Sequence, residues 1–110
     1  MNYTFEIQGT AVEPYWVEFS YTKNTFKARC DCPAGEKKQL CKHITSILEG
    51  EIPKGLVNGD TSKIPNIVKS FHESNVLEAY DVYLNLFAEI EELKKELTNR
   101  KKQVARMLYQ

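Results

Sequence analysis

Apolar and polar side chains alternate in three short runs near the start of the chain. Tyr3, Phe5 and Ile7 alternate with Thr4, Glu6 and Gln8, and Tyr15, Val17, Phe19 and Tyr21 with Trp16, Glu18 and Ser20. Phe26, Ala28 and Cys30 alternate with Thr25, Lys27 and Arg29. A period of two is that of a half-buried strand. Residues 9–14 form a loop between the first two runs, and only Lys23 and Asn24 separate the second from the third, as in a tight hairpin turn. The expectation is a three-stranded antiparallel meander with an aromatic inner face. Trp16 falls on the opposite face, as a contact residue or as a lid over the helix that follows.

The period then changes. Ile44, Ile47 and Leu48 share one helical face from about residue 42 to 49, and Gly50, Pro53 and Gly55 end that helix. Asp60, Thr61 and Ser62 are cap candidates for a second short helix striped by Ile64, Ile67, Val68 and Phe71. Pro65 fits its first turn. Ser74 and Asn75 signal another start, with Glu78 spaced for a capping box from Asn75. His72 is an ordinary helix-end residue without a metal role.

No proline or glycine follows from Val76 to Gln110. With Val76 at heptad position a, the a residues are Val76, Tyr83, Ile90, Leu97 and Val104, and the d residues are Ala79, Leu86, Leu93, Arg100 and Met107. All but Arg100 are apolar. Glu89 and Glu96 fall at g and Lys94 and Lys101 at the following e positions, the pairing of a parallel two-stranded coiled coil. The predicted dimer interface is Tyr83, Leu86, Ile90, Leu93, Leu97 and Val104. A second stripe of Leu77, Tyr80, Leu84 and Phe87 also allows the first half of the helix to pack on the preceding domain. The pattern predicts an α+β chain: a domain at residues 1–50, a connecting segment with a short helix at 51–75, and a long dimerising helix at 76–110.

Composition narrows the function. The chain has 110 residues and zero formal net charge, which disfavours a general polyanion binder. A finger-sized domain buries too little apolar surface to be stable alone, so a structural metal is expected. No run of apolar residues reaches the length of a membrane span, and no secretory signal pattern opens the chain. An intracellular, cytoplasmic location follows, or a nuclear one in a eukaryote. Charge is segregated along the chain. Residues 23–43 carry Lys23, Lys27, Arg29, Lys37, Lys38 and Lys42 against Asp31 and Glu36; residues 44–92 are acidic and 93–110 basic. Such blocks suit directed contacts between parts or chains.

The chemistry is concentrated in Cys30, Cys32, Cys41 and His43. Their pattern is Cys-x-Cys, eight residues, then Cys-x-His, and it uses all three cysteines of the chain. Residues two apart on a strand project to one side, so Cys30 and Cys32 reach a common point. Cys41 and His43 sit where a helix begins, after Pro33, Ala34 and Gly35 turn the chain. Three thiolates and an imidazole complete a tetrahedral zinc shell and leave no position open for substrate, which makes the metal structural. The surrounding Arg29, Lys37, Lys38 and Lys42 are expected to favour thiolates. The alternatives are weaker: three cysteines leave a disulfide with one over, and a Cys30–Cys32 bridge would be strained. A redox thiol cluster is the remaining competitor.

The segment Cys30-Asp31-Cys32-Pro33, then Gly35, then Leu40-Cys41-Lys42-His43-Ile44 resembles the SWIM zinc finger, and the strands with Gly9 and residues 15–19 fit the same family. The resemblance spans about residues 3–50. It implies one zinc on Cys30, Cys32, Cys41 and His43. The module occurs in chromatin-remodeller-like ATPases, Mutator transposases, kinases and ubiquitin ligases, where it binds DNA or protein and is not itself a catalyst. No nucleophile–base pair, phosphate-binding glycine loop or carboxylate cluster supports catalysis here. Two functions remain. One is a dimeric protein–protein adaptor. The other is salt-sensitive nucleic-acid binding through Arg29, Lys37, Lys38 and Lys42. The outward residues of the finger helix, Thr45, Ser46 and Glu49, do not suit base reading.

Overall fold

A computed structural model describes all residues, Met1–Gln110. The strands are β1 (Asn2–Ile7), β2 (Tyr15–Thr22) and β3 (Thr25–Cys30), then the short helices α1 (Pro33–Glu36) and α2 (Lys42–Leu48). A further strand β4 (Leu56–Asn58), a 3₁₀ turn (Thr61–Lys63), α3 (Ile64–His72) and α4 (Val76–Leu108) complete the chain. The fold is α+β, as the pattern of the sequence implies. Two compact units are present, Met1–Leu77 and Glu78–Gln110.

The sheet has four strands in the order β3-β2-β1-β4, which corrects the expected three. β1 pairs antiparallel with β2 from Asn2↔Ser20 to Ile7↔Tyr15, and β2 with β3 from Val17↔Cys30 to Thr22↔Thr25. Lys23 and Asn24 both have positive φ, 51° and 63°, the backbone of a two-residue type I′ hairpin whose twist matches that of the strands. β4 escapes periodicity because it is only three residues long. It is placed by its flank: the Gln8 N–H donates to the Gly55 carbonyl at 2.7 Å. Gly55 has φ of +84°, and a Cβ there would lie 2.3 Å from the Gln8 carbonyl oxygen, so only glycine brings the chain back beside β1.

One face of the sheet is dry. Phe5, Ile7, Val17, Phe19 and Phe26 are buried, as are Ile44, Ile47 and Leu48 of α2 and Ile64, Ile67 and Phe71 of α3. Phe5 meets Phe19 edge-on at 6.2 Å between centroids, and Phe26 bridges Phe19 at 6.1 Å to Phe71 at 5.6 Å. Such ring pairs add to area burial, and the Phe26–Phe71 contact links β3 to α3. Asp60 caps the 3₁₀ turn by accepting from the Ser62 N–H at 3.0 Å. Ser74 donates to the Phe71 carbonyl at 2.7 Å and accepts from the Val76 N–H at 3.3 Å, joining the end of α3 to the start of α4.

The second unit is helical throughout most of its length. Leu86, Ile90, Leu93, Leu97, Val104 and Met107 are all more than half exposed in the single chain. Tyr83 stacks between Tyr80 at 6.0 Å and Phe87 at 6.4 Å, a ladder at the i, i+3 and i, i+4 spacings of a helix. Its ion pairs lie within the helix: Lys94–Glu91 at 3.3 Å, Lys95–Glu92 at 3.6 Å and Arg100–Glu96 at 3.8 Å. They are exposed and contribute only tenths of a kcal/mol each. The acidic first half and basic second half also complement the helix dipole.

Candidate metal centre

The end of β3 and the two short helices converge on one point. The strand pleat turns Cys30 inward, and Cys32 follows beyond the exposed Asp31. Cys32 is the N-cap of α1, with Pro33 in its first turn, and its Sγ accepts the Gly35 N–H at 3.3 Å. Cys41 is the N-cap of α2, and His43 is carried inward on that helix's first turn. The four donor atoms all lie within 4.8 Å of one another. The Sγ of Cys30 is 3.6 Å from His43 Nδ1.

These residues fit zinc on independent grounds. Zinc–sulfur bonds of about 2.3 Å place the donors of a tetrahedral shell about 3.8 Å apart, close to the observed cluster. Cys30, Cys32, Cys41 and His43 are only 7, 3, 6 and 8% exposed, so the set is closed to solvent. The three cysteines are free thiols, not a disulfide. Zinc on this Cys₃His set is structural: the donors fill its shell and tie the end of β3 to the starts of α1 and α2.

Before metal binds, burial competes with the neighbouring cations at the thiols. Burial is the largest influence on Cys30 and pushes its thiol well above the ordinary range; burial raises Cys41 as well. Arg29, Lys37, Lys38 and Lys42 are all exposed, so water weakens their charge without cancelling it. Cys32 is lowered instead: burial opposes ionisation, but the Gly35 N–H bond and the neighbouring thiols outweigh it. Burial, then the charge of Lys42, lowers the His43 pKa and keeps the ring in its neutral, ligating form. The Tyr15 ring packs 5.4 Å from the imidazole and limits its rotation.

Gly35 is a structural requirement of the site beside the ligands. A Cβ there would lie 2.0 Å from the Cys30 carbonyl oxygen, so any side chain would push α1 away from β3. The motif points to this glycine, but the reason for it is visible only in three dimensions. Trp16 lies on the outer sheet face, with the Arg29 guanidinium 5.8 Å from its ring centre, a cation–π contact. Arg29 therefore has a second role beside its charge. Lys37, Lys38 and Lys42 are exposed residues of the first unit, whereas the predicted interface residues Tyr83, Leu86, Ile90, Leu93, Leu97 and Val104 belong to the other unit.

A family model described as the SWIM zinc finger matches residues 15–49, which contain all four ligands. That segment carries the SWIM zinc-finger pattern with its complete ligand set. No curated protein and no solved structure matches the chain. No helix is long and apolar enough to cross a membrane.

Proposed function

We propose that this SWIM zinc-finger chain is a dimeric, non-catalytic adaptor. The zinc-bound unit displays a rigid surface to a protein partner, and α4 joins two copies in parallel through Tyr83, Leu86, Ile90, Leu93, Leu97 and Val104. The observation that carries this reading is the apolar seam of α4, more than half exposed from Leu86 to Met107 at heptad spacing. A ridge of that length in water favours a protein partner. The Glu89–Lys94 and Glu96–Lys101 pairs set the parallel orientation, competing with Glu91 and Arg100, which hold Lys94 and Glu96 within one helix. Free thiols suit a reducing compartment, and we place the protein in the cytoplasm.

Nucleic-acid binding is the second reading, favoured by the exposure of Arg29, Lys37, Lys38 and Lys42. The residues of α2 and its C-cap weigh against base reading: Thr45 and Ser46 are half-buried and the C-cap Glu49 is acidic. A salt-dependent titration of zinc-loaded protein against single- and double-stranded DNA and RNA separates the two. The adaptor gives no binding even at low salt. Binding that weakens with salt and is flattened by Lys37→Glu with Lys38→Glu supports the second reading instead.

A further inference from the structure

β3 is an edge strand, and the phase of its hairpin fixes which backbone groups it leaves open. The two-residue turn at Lys23–Asn24 makes Thr22↔Thr25 a hydrogen-bonded pair, and the pairs then alternate along the ladder. Thr25, Lys27 and Arg29 therefore point their N–H and C=O groups at β2. Asp31 keeps the same phase, since its N–H donates to the Trp16 carbonyl at 3.2 Å. Phe26 and Ala28 point theirs away from the sheet.

Those open groups border a groove of about 830 Å³ between β3 and the segment leading into α2. Leu40, Ile44, Leu48 and Val76 line it on the inner-face side, and Leu40 is 51% exposed. Arg29, Lys38, Asp31 and Glu36 are its charged lining residues. Asp31 is already engaged, accepting the Trp16 N–H at 2.7 Å. The outer-face side chains of β3 itself are Thr25, Lys27 and Arg29, with no acid among them.

We propose that this groove takes an extended segment of a partner protein, added beside β3 as a fifth strand, in which acidic side chains alternate with apolar ones. The code follows from pairing. Side chains of an added strand on the outer face lie next to Lys27 and Arg29, where carboxylates are favoured. Those on the inner face lie over Leu40, Ile44 and Leu48, where apolar groups are favoured. Main-chain bonds to Phe26 and Ala28 supply the register. A second copy of β3 does not fit, because Lys27 and Arg29 would then face their own counterparts. The proposal rests on the protein-binding reading above and names the partner's chemistry.

The test uses the full zinc-loaded chain and two blocked heptapeptides, one alternating glutamate with valine and the other lysine with valine. Nuclear magnetic resonance titration should show the glutamate peptide binding about tenfold more tightly than the lysine peptide. Amide exchange at Phe26 and Ala28 should slow on binding. Ala28→Pro removes an outward N–H and leaves the β2 ladder intact, as proline is tolerated at such edge positions. It should weaken binding about fivefold, the worth of one hydrogen bond, with zinc retained. If that variant does not fold, Lys27→Glu with Arg29→Glu should reverse the preference between the peptides. No binding by about 1 mM peptide, equal affinity for both, or protection elsewhere overturns the proposal. Sedimentation of the same samples keeps the two readings apart. A dimer that ignores the peptide sinks only this inference, and a monomer that binds it sinks only the dimer.

Discussion

The two units keep their apolar residues in opposite ways. In Met1–Leu77 the large side chains face inward: Phe5, Phe19, Ile47, Ile67 and Phe71 are at most 2% exposed. In Glu78–Gln110 the equivalent investment is turned outward, with Leu93 at 62% and Leu97 at 71%. The first unit is complete within one chain once its metal is bound. The second carries an exposed apolar seam at heptad spacing. A small domain that relies on zinc and, on the proposed reading, a helix that relies on a second copy would be two solutions to one shortage, too little core per residue.

The largest expected effect separates the units. Removing zinc with a chelator, or replacing Cys41 with alanine, should unfold residues 1–77, because binding free energy of about 10 kcal/mol or more is coupled to folding in sites of this class. Tryptophan fluorescence follows this directly, since Trp16 lies in β2. Acid acts in the same direction. Burial lowers the His43 pKa, so the unfolded chain takes up a proton more readily than the folded one. Its contribution is full above the ordinary imidazole range and is lost as the pH falls through it, and protons also compete with zinc for the thiolates. Zinc content against pH should fall together with the fluorescence.

Next in size is the converse change. Ile90→Asp with Leu97→Asp should give monomers in size-exclusion chromatography while one zinc per chain is retained, since charges in a paired seam cost several kcal/mol. Loss of zinc in this variant would show that the units depend on one another.

A smaller effect should come from Gly35→Ala. The added Cβ meets backbone at Cys30, not a movable side chain, so the loop must shift, at a cost of about 2–4 kcal/mol. Competition with a chromophoric chelator should show weakened zinc affinity with the dimer intact. The smallest is Arg100→Leu, which completes the apolar d series. It should tighten the dimer by about 1–2 kcal/mol per pair, measurable as a lower dissociation constant.

Legibility in the sequence followed the range of the forces involved. The alternation of Phe5, Val17, Phe19 and Phe26 reports a local period, and the spacing of Cys30, Cys32, Cys41 and His43 is set by strand and helix geometry. Both survive translation from sequence to structure. β4 did not announce itself, because three residues between two glycines carry no period and are held by a distant partner, Ile7. α1 is a single turn fixed by the Cys32 cap and was visible only as a turn. The burial of the thiols was not legible either, because charge is written in the sequence and burial is not. The outward phase of Phe26 and Ala28 was within reach, since the two-residue turn at Lys23–Asn24 determines it.

Sedimentation equilibrium of the zinc-loaded wild-type chain tests the proposed pairing of the α4 seam most directly. Over a range of protein concentrations the mass should rise to twice the chain mass of 12.7 kDa and stay there. A mass of 12.7 kDa at every concentration would contradict it.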